Sequence, residues 1–288
     1  MTMLFRFRKK YTTANFFKHR EIKKLNDVLV LHRLRLRSSN LERKVKVDIY
    51  LPQNAENCSA TLLLNDGQDM GQLKLVETLT GLISGAEITP IAVVAIFANE
   101  NRMQEYGVAG FPDYKKRGSR AARHLDFVIQ ELTPFLQKEY GLMKEEQPNV
   151  YAGFSMGGLS ALDISWNYPN LFKKVGVFSG SLWWRTLNTG TAKDDDSRIM
   201  HQRIRAGEKK EGFKFWLQTG TKDETRDRNK NGIIDSIDDT RDLITELKTL
   251  GYTDEDITYE ELTDGEHNFY TWSAIFPSFL KWAFPKEA

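Results

Sequence analysis

With 288 residues, 40% of them hydrophobic, the chain carries enough apolar surface to bury a large core. Lysine and arginine total 41 against 39 acidic residues, and a net charge of +2 on a chain this size argues against a nucleic-acid-binding body. A single cysteine, Cys58, excludes an internal disulfide and reads as a packing residue.

Residues 1–25 combine Arg, Lys and Phe without a sustained period, which predicts a basic arm lying on the body or partly disordered. The apolar run of about 7–15 residues that a secretory signal needs does not follow the basic start. No stretch reaches the roughly 18 apolar residues of a membrane span. The expectation is a soluble protein of the cytoplasm.

Residues 26–288 read as one α/β domain. Segments 28–37 and 43–51 alternate apolar with charged residues, as a half-exposed antiparallel strand pair does, and Pro52 closes the second. From there short apolar runs, at 60–65, 90–97, 150–154, 174–178, 213–218 and 257–262, alternate with helical periodicity at 73–83, 121–140, 158–167, 239–250 and 267–283. That order is the signature of a parallel sheet with crossover helices. One mixed sheet, antiparallel at its N-terminal edge and parallel through its centre, accounts for it. Residues 185–212 interrupt the pattern with a charged insertion placed to cap or flank a cleft.

The chemistry centres on Gly153-Phe154-Ser155-Met156-Gly157. A Gly-x-Ser-x-Gly match would turn up by chance in roughly one chain in ten of this length. Here a buried-strand run precedes it and a helical segment follows, the strand-turn-helix setting of a nucleophile elbow. The elbow sets Ser155 at a helix N-terminus, where free N–H groups favour developing negative charge.

A base and an acid must follow in the order nucleophile, acid, base. Of five histidines only His201 and His267 lie downstream of Ser155. His267, in a turn between the last strand and the last helix, is the better base, and His201 lies in the charged insertion. His19, His32 and His124 lie upstream and read as surface or packing residues. Asp223 and Glu224 compete as the acid on the loop after the penultimate strand. Asp223 is favoured because it comes first after the Gly turn. Two backbone N–H groups, of Met156 and of Gln68 in Asn65-Asp66-Gly67-Gln68-Asp69, are placed to form an oxyanion hole.

Several segments together resemble the esterase family related to esterase D, which includes siderophore (enterochelin) esterases, feruloyl esterases and mycolyltransferases. They are Val47-Asp-Ile-Tyr-Leu-Pro52, Asn65-Asp-Gly-Gln68, Arg102 with Glu105-Tyr106, Ala152-Gly-Phe-Ser-Met-Gly-Gly158, residues 171–181, Gly220-Thr-Lys-Asp223 and Gly265-Glu-His-Asn268. The resemblance runs from about Val28 to the C-terminus. It implies an α/β-hydrolase fold and a serine hydrolase cleaving a small-molecule carboxylic ester, with no cofactor in the chemistry. Ser155, Asp223 and His267 would form the triad, with Met156 and Gln68 at the oxyanion. It also aligns Arg102 with a motif arginine, able to bind an anionic substrate or to pair with Glu105. Trp183 and Trp184 become a candidate aromatic wall for a catechol or cinnamoyl group, buried packing being the commoner fate of such a pair. An acyltransferase, or a non-catalytic carbohydrate- or ligand-binding module on the same fold, remains open.

Immediately after the acid loop the chain reads Asp227-Arg-Asn229-Lys-Asn231-Gly232-Ile233-Ile234-Asp235-Ser-Ile-Asp238. This matches the twelve-position calcium loop at nearly every informative place. Asp227, Asn229, Asn231, Asp235 and Asp238 supply oxygens, Ile233 a carbonyl, Gly232 the sharp turn and Ile234 an apolar anchor. Position 12 is Asp instead of Glu, and a strand leads into the loop instead of a helix. A structural Ca²⁺ is expected, and a calcium site argues mildly for an extracytoplasmic location, against the N-terminal cue.

Overall fold

The computed structural model of the chain describes residues 17–53, 58, 60–191 and 193–286. Nine strands form one sheet in the order β1-β2-β3-β5-β4-β6-β7-β8-β9. β1 (Phe17–Lys24), β2 (Leu29–Ser38) and β3 (Arg43–Pro52) make an antiparallel edge. β3 pairs antiparallel with β5 (Ile91–Ile96), and from β5 onward every pairing is parallel, through β4 (Ala60–Asn65), β6 (Asn149–Phe154), β7 (Lys174–Phe178), β8 (Lys214–Lys222) and β9 (Ile257–Glu266).

The reason is visible in the residues. All six positions of β4, β5 and β6 are buried, because helices cover both faces of a parallel sheet and neither face of the strand can be polar. Two apolar cores result. On one face α1 (Leu75–Ser84) and α9 (Phe269–Ala283) contribute Leu75, Leu79, Phe276 and Phe279. On the other lie α5 (Met156–Asn167), α8 (Asp235–Thr249) and the run Ala121–Asp126, Phe127–Leu132 and Thr133–Tyr140, termed α3, a π-helical turn and α4.

Part of the basic segment departs from expectation. Phe17–Lys24 is an edge strand, paired with β2 by backbone hydrogen bonds that a charged, aperiodic sequence does not announce. The preceding residues of the arm, and the side chain of His19, lie outside the described residues. The insertion folds as two short helices, α6 (Lys193–Asp196) and α7 (Ile199–Arg205), and α2 (Arg102–Glu105) adds a turn after β5. Among the described residues no helix is long and apolar enough to cross a membrane.

Candidate active site

β6 delivers the chain to Ser155 at the C-terminal edge of the sheet, and α5 begins at the next residue. Ser155 has φ 54° and ψ −122°, a conformation that L-residues rarely adopt and that costs on the order of 1–3 kcal/mol. The surroundings impose it. Its N–H donates to the Phe178 carbonyl at 2.8 Å, and its carbonyl accepts from the N–H groups of Ser181 and Gly158, both at 3.1 Å. A side chain at Gly153 would fall on the Gly157 carbonyl, so this sharp a turn requires glycine there.

A cavity of about 390 Å³ opens over this turn, lined among others by Ser155, Met156, Asp223, Glu224, His267 and Arg102. The loops bearing Asp223 and His267 are joined backbone to backbone. A Cβ at Gly220 would collide with the Gly265 carbonyl, so the two loops are held close; among the described residues no hydrogen bond joins His267 to Asp223 or Ser155, whose side chains bond Ser179, Gly220 and Ser181. Asp223 turns inward: its Oδ1 accepts from Ser179 Oγ at 3.1 Å and its Oδ2 from the Gly220 N–H at 3.1 Å. Glu224 turns to Arg226, whose Nε donates to it at 2.7 Å.

Ser179 ties this corner together. Buried, and itself at φ 43°, it accepts from Trp272 Nε1 at 3.0 Å while donating to Asp223. The Trp272 ring meets the His267 imidazole edge-to-face at 5.2 Å. Burial raises the Asp223 carboxyl above the ordinary carboxylate range, against the Gly220 and Ser179 hydrogen bonds and the attraction of His267. Desolvation in the cleft lowers His267, opposed first by Asp223 and then by Glu224. The imidazole is therefore biased to its neutral, proton-accepting form.

Met156 occupies the first position of α5, where its N–H has no intrahelical acceptor. Gln68 lies in the 3₁₀ turn Gly67–Asp69 after β4 and is not among the residues lining the cavity. Its side chain bridges the Ala98 N–H at 3.0 Å and the carboxylates of Asp66 and Asp69, which fixes the turn. The same turn is fastened to α5, since Asn65 Nδ2 donates to the Gly157 carbonyl at 2.8 Å.

Four expectations need correction. Arg102 does not pair with Glu105: it grips Asp66 bidentately at 2.7 and 2.8 Å, and Glu105 is taken by Arg43. Trp184 is fully buried beneath Gly107 and Gly118, with Nε1 donating to the Phe111 carbonyl, so it packs the core and offers no substrate surface. Trp183 does line the cavity, under the Arg117 guanidinium at 4.6 Å. Ile234 is only half-buried, and the buried apolar anchor nearby is Ile237. Asp235 of the calcium-type loop turns to Arg228, accepting from its backbone N–H at 2.6 Å and pairing with its guanidinium, while Asp227, Asn229, Asn231 and Asp238 gather. His201 is buried against the Asp239 carbonyl with its pKa pushed down to about 3 by desolvation, a packing histidine.

Sequence reasoning assigned no role to Ser179, Ser181 or Trp272. Phe178-Ser-Gly-Ser181 stood among the resembling segments, but nothing in it marked Ser179 as the residue beneath Asp223. Ser181 Oγ lies 3.4 Å from Ser155 Oγ.

A family model described as "Putative esterase" matches residues 38–283. The chain belongs to this esterase family. Membership supports a carboxylic ester hydrolase. Two Bacillus subtilis (strain 168) relatives of this chain, the uncharacterized proteins YbbA and YjcH, are 20% and 23% identical over 83% and 85% of this chain and 92% and 93% of their own. Among solved structures, the enterobactin esterase FES of Shigella flexneri superposes with a TM-score of 0.67 at 23% identity, over 87% of this chain and 58% of that one. A ferulic acid esterase superposes with a TM-score of 0.67 at 16% identity, over 91% and 99%. The chain thus spans little more than half the length of the enterobactin esterase, and at these identities the likeness establishes the α/β-hydrolase fold.

Proposed function

We propose that this chain hydrolyses a carboxylic ester through an acyl-enzyme on Ser155. The observation that carries the reading is Ser155 in a strained turn at the head of α5, sharing one cavity with His267 and with an inward-turned Asp223. His267 takes the hydroxyl proton as the Ser155 oxygen attacks the ester carbonyl, and Asp223 stabilises the resulting imidazolium. The tetrahedral oxyanion rests on the Met156 N–H at the cavity wall, with the Gln68 N–H, in the turn after β4 just outside the lining, as the second donor. Collapse expels the alcohol, which receives the proton from His267. Water, deprotonated in turn by His267, then attacks the acyl-enzyme and releases the acid.

The lining of the cavity supports a reading of what the ester carries. Trp183 offers an aromatic face, and each guanidinium on the wall has its own carboxylate: Arg102 with Asp66, Arg117 with Asp113, Arg226 with Glu224. A planar aromatic acyl or alcohol group suits such a surface, in keeping with the similarity to enterobactin and ferulic acid esterases.

Ser155→Ala should lower turnover of a p-nitrophenyl ester by about 10⁴ or more and abolish labelling by a fluorophosphonate probe. Wild-type activity in that variant would end the proposal. Under the same assay Asp223→Asn should lose far more than Glu224→Gln, and the reverse order would move the acid to Glu224.

A further inference from the structure

The proposed reaction makes no use of the loop between β8 and α8, where Asn231 bonds both Asp227 and Asp238 and neither carboxylate has a cationic partner among the described residues. Asp227 accepts only from the backbone N–H groups of Asn231 and Gly232, at 3.1 and 2.9 Å. Asp238 Oδ2 accepts from the side-chain amides of Asn229 and Asn231, at 2.9 and 2.7 Å. Both carboxylates are thus met by neutral donors alone. The arginine in the loop is committed elsewhere: Arg228 pairs with Asp195, Asp235 and Asp239.

We infer that residues 227–238 bind one calcium ion. The donor set is two carboxylates, two amides and a peptide carbonyl. Among the described residues no three His, Cys, Asp or Glu side chains converge as a metal cluster, so the ion would rest on two carboxylates together with amide and carbonyl oxygens. Hard oxygen donors of mixed charge are what Ca²⁺ takes, six to eight at a time, and two unpaired carboxylates match its charge. The two amide N–H groups now against Asp238 put the positive ends of their dipoles there. Rotating each amide by half a turn aims two further oxygens toward Asp238, at the loss of the bonds that the Asn229 and Asn231 Oδ1 atoms now accept from the N–H groups of Asn231 and Ile233. Asp227, Asn229, Asn231, Ile233 and Asp238 occupy positions 1, 3, 5, 7 and 12 of the loop, and Asp235, at position 9 and held by Arg228, reaches the ion only through water.

The loop is closed at its neck by the Asp235 N–H donating to the Arg226 carbonyl at 2.8 Å. On one side of that neck Asp223, Glu224 and Arg226 line the cavity, and on the other Ser236 does. The ion would therefore clamp the cavity rim from outside and touch no substrate.

Calorimetric titration of the full, chelator-treated chain with CaCl₂ tests this without reference to catalysis. One saturable site is expected, with a Kd between about 10⁻⁷ and 10⁻³ M, weaker binding of Mg²⁺, and a Tm that rises by several degrees once Ca²⁺ exceeds the Kd about a hundredfold. Asp227→Asn and Asp238→Asn should each weaken binding at least about tenfold. No saturable heat together with an unchanged Tm at about 10 mM Ca²⁺ overturns the inference, as does undiminished affinity in both variants, which would locate the ion elsewhere. Should a variant fail to fold, the wild-type titration and the exposed Asn231→Ala decide. Repeating the titration in Ser155→Ala separates a failed metal site from a failed catalytic assignment.

Discussion

Replacing Ser179 with alanine removes one oxygen that serves two partners. Ser179 Oγ donates to Asp223 Oδ1 at 3.1 Å and accepts from Trp272 Nε1 at 3.0 Å, and both Ser179 and Trp272 are buried. A hydrogen bond to an ionised group contributes about 1.5–3 kcal/mol, and a buried donor left unpaired costs about 1–3 kcal/mol. If the bond to Asp223 persists into the transition state, its loss lowers kcat/KM roughly 10- to 100-fold. The pH profile also moves in a defined direction. Burial already raises the Asp223 carboxyl, and losing a donor to its charged form raises it further; Asp223 and His267 titrate together, so the acid limb of kcat/KM that the pair sets shifts to higher pH. Ser179→Gly separates the hydroxyl from the backbone: it loses the same bonds but relaxes φ 43°, so it should match Ser179→Ala in activity and melt higher. The assay is kcat/KM for a p-nitrophenyl ester across pH, with Tm measured in parallel. A lowered Tm with an unmoved acid limb would make Ser179 merely a packing residue and refute the reasoning.

Desolvation lowers His267 below the ordinary histidine value of 6.5. Because the neutral imidazole is the active base, wild-type kcat/KM should hold above that folded-state pKa and fall as the pH drops through it, with an inflection below 6.5. An inflection above that value would mean that the carboxylates outweigh desolvation. Gly220→Ala places a methyl on the Gly265 carbonyl and forces the acid and base loops apart. It should destabilise by about 1–3 kcal/mol in urea melts and slow fluorophosphonate labelling of the folded protein, and labelling at the wild-type rate would show that the glycine contact does not set the spacing.

The sheet interior was legible because burial on both faces leaves a parallel strand no choice but a continuous apolar run, as in Leu62-Leu-Leu64 and Ile91-Ala-Val-Val94. The elbow was legible for a related reason: a turn so tight that Gly153 meets Gly157 admits few residue types. What stayed hidden depended on partners distant in the chain. β1 is a strand because β2 offers it an edge, and its own residues carry no apolar alternation. The contrast between Asp223 and Glu224 lies in the direction of two side chains, one bound by Ser179, forty-four positions away, and the other by Arg226. Trp183 and Trp184 are adjacent and identical in type, yet one lines the cavity and the other fills the core, because successive residues here face opposite ways.

The outermost strand, β1, gives the basic N-terminal segment a physical task. An unpaired sheet edge is a template on which another chain's strand can assemble, and exposed charge is the usual deterrent. Arg20, Glu21, Lys23 and Lys24 are all exposed on β1, and Arg20 and Lys24 form hydrogen bonds with His32 and Asp27. A foreign strand docking there would have to strip water from several ionised side chains for each pair of backbone hydrogen bonds it gained. Without β1, the next edge would be β2, whose Leu29, Leu31, Leu34 and Leu36 are buried. Among the described residues β1 thus ends the sheet with a mostly charged, exposed row that disfavours edge-to-edge pairing.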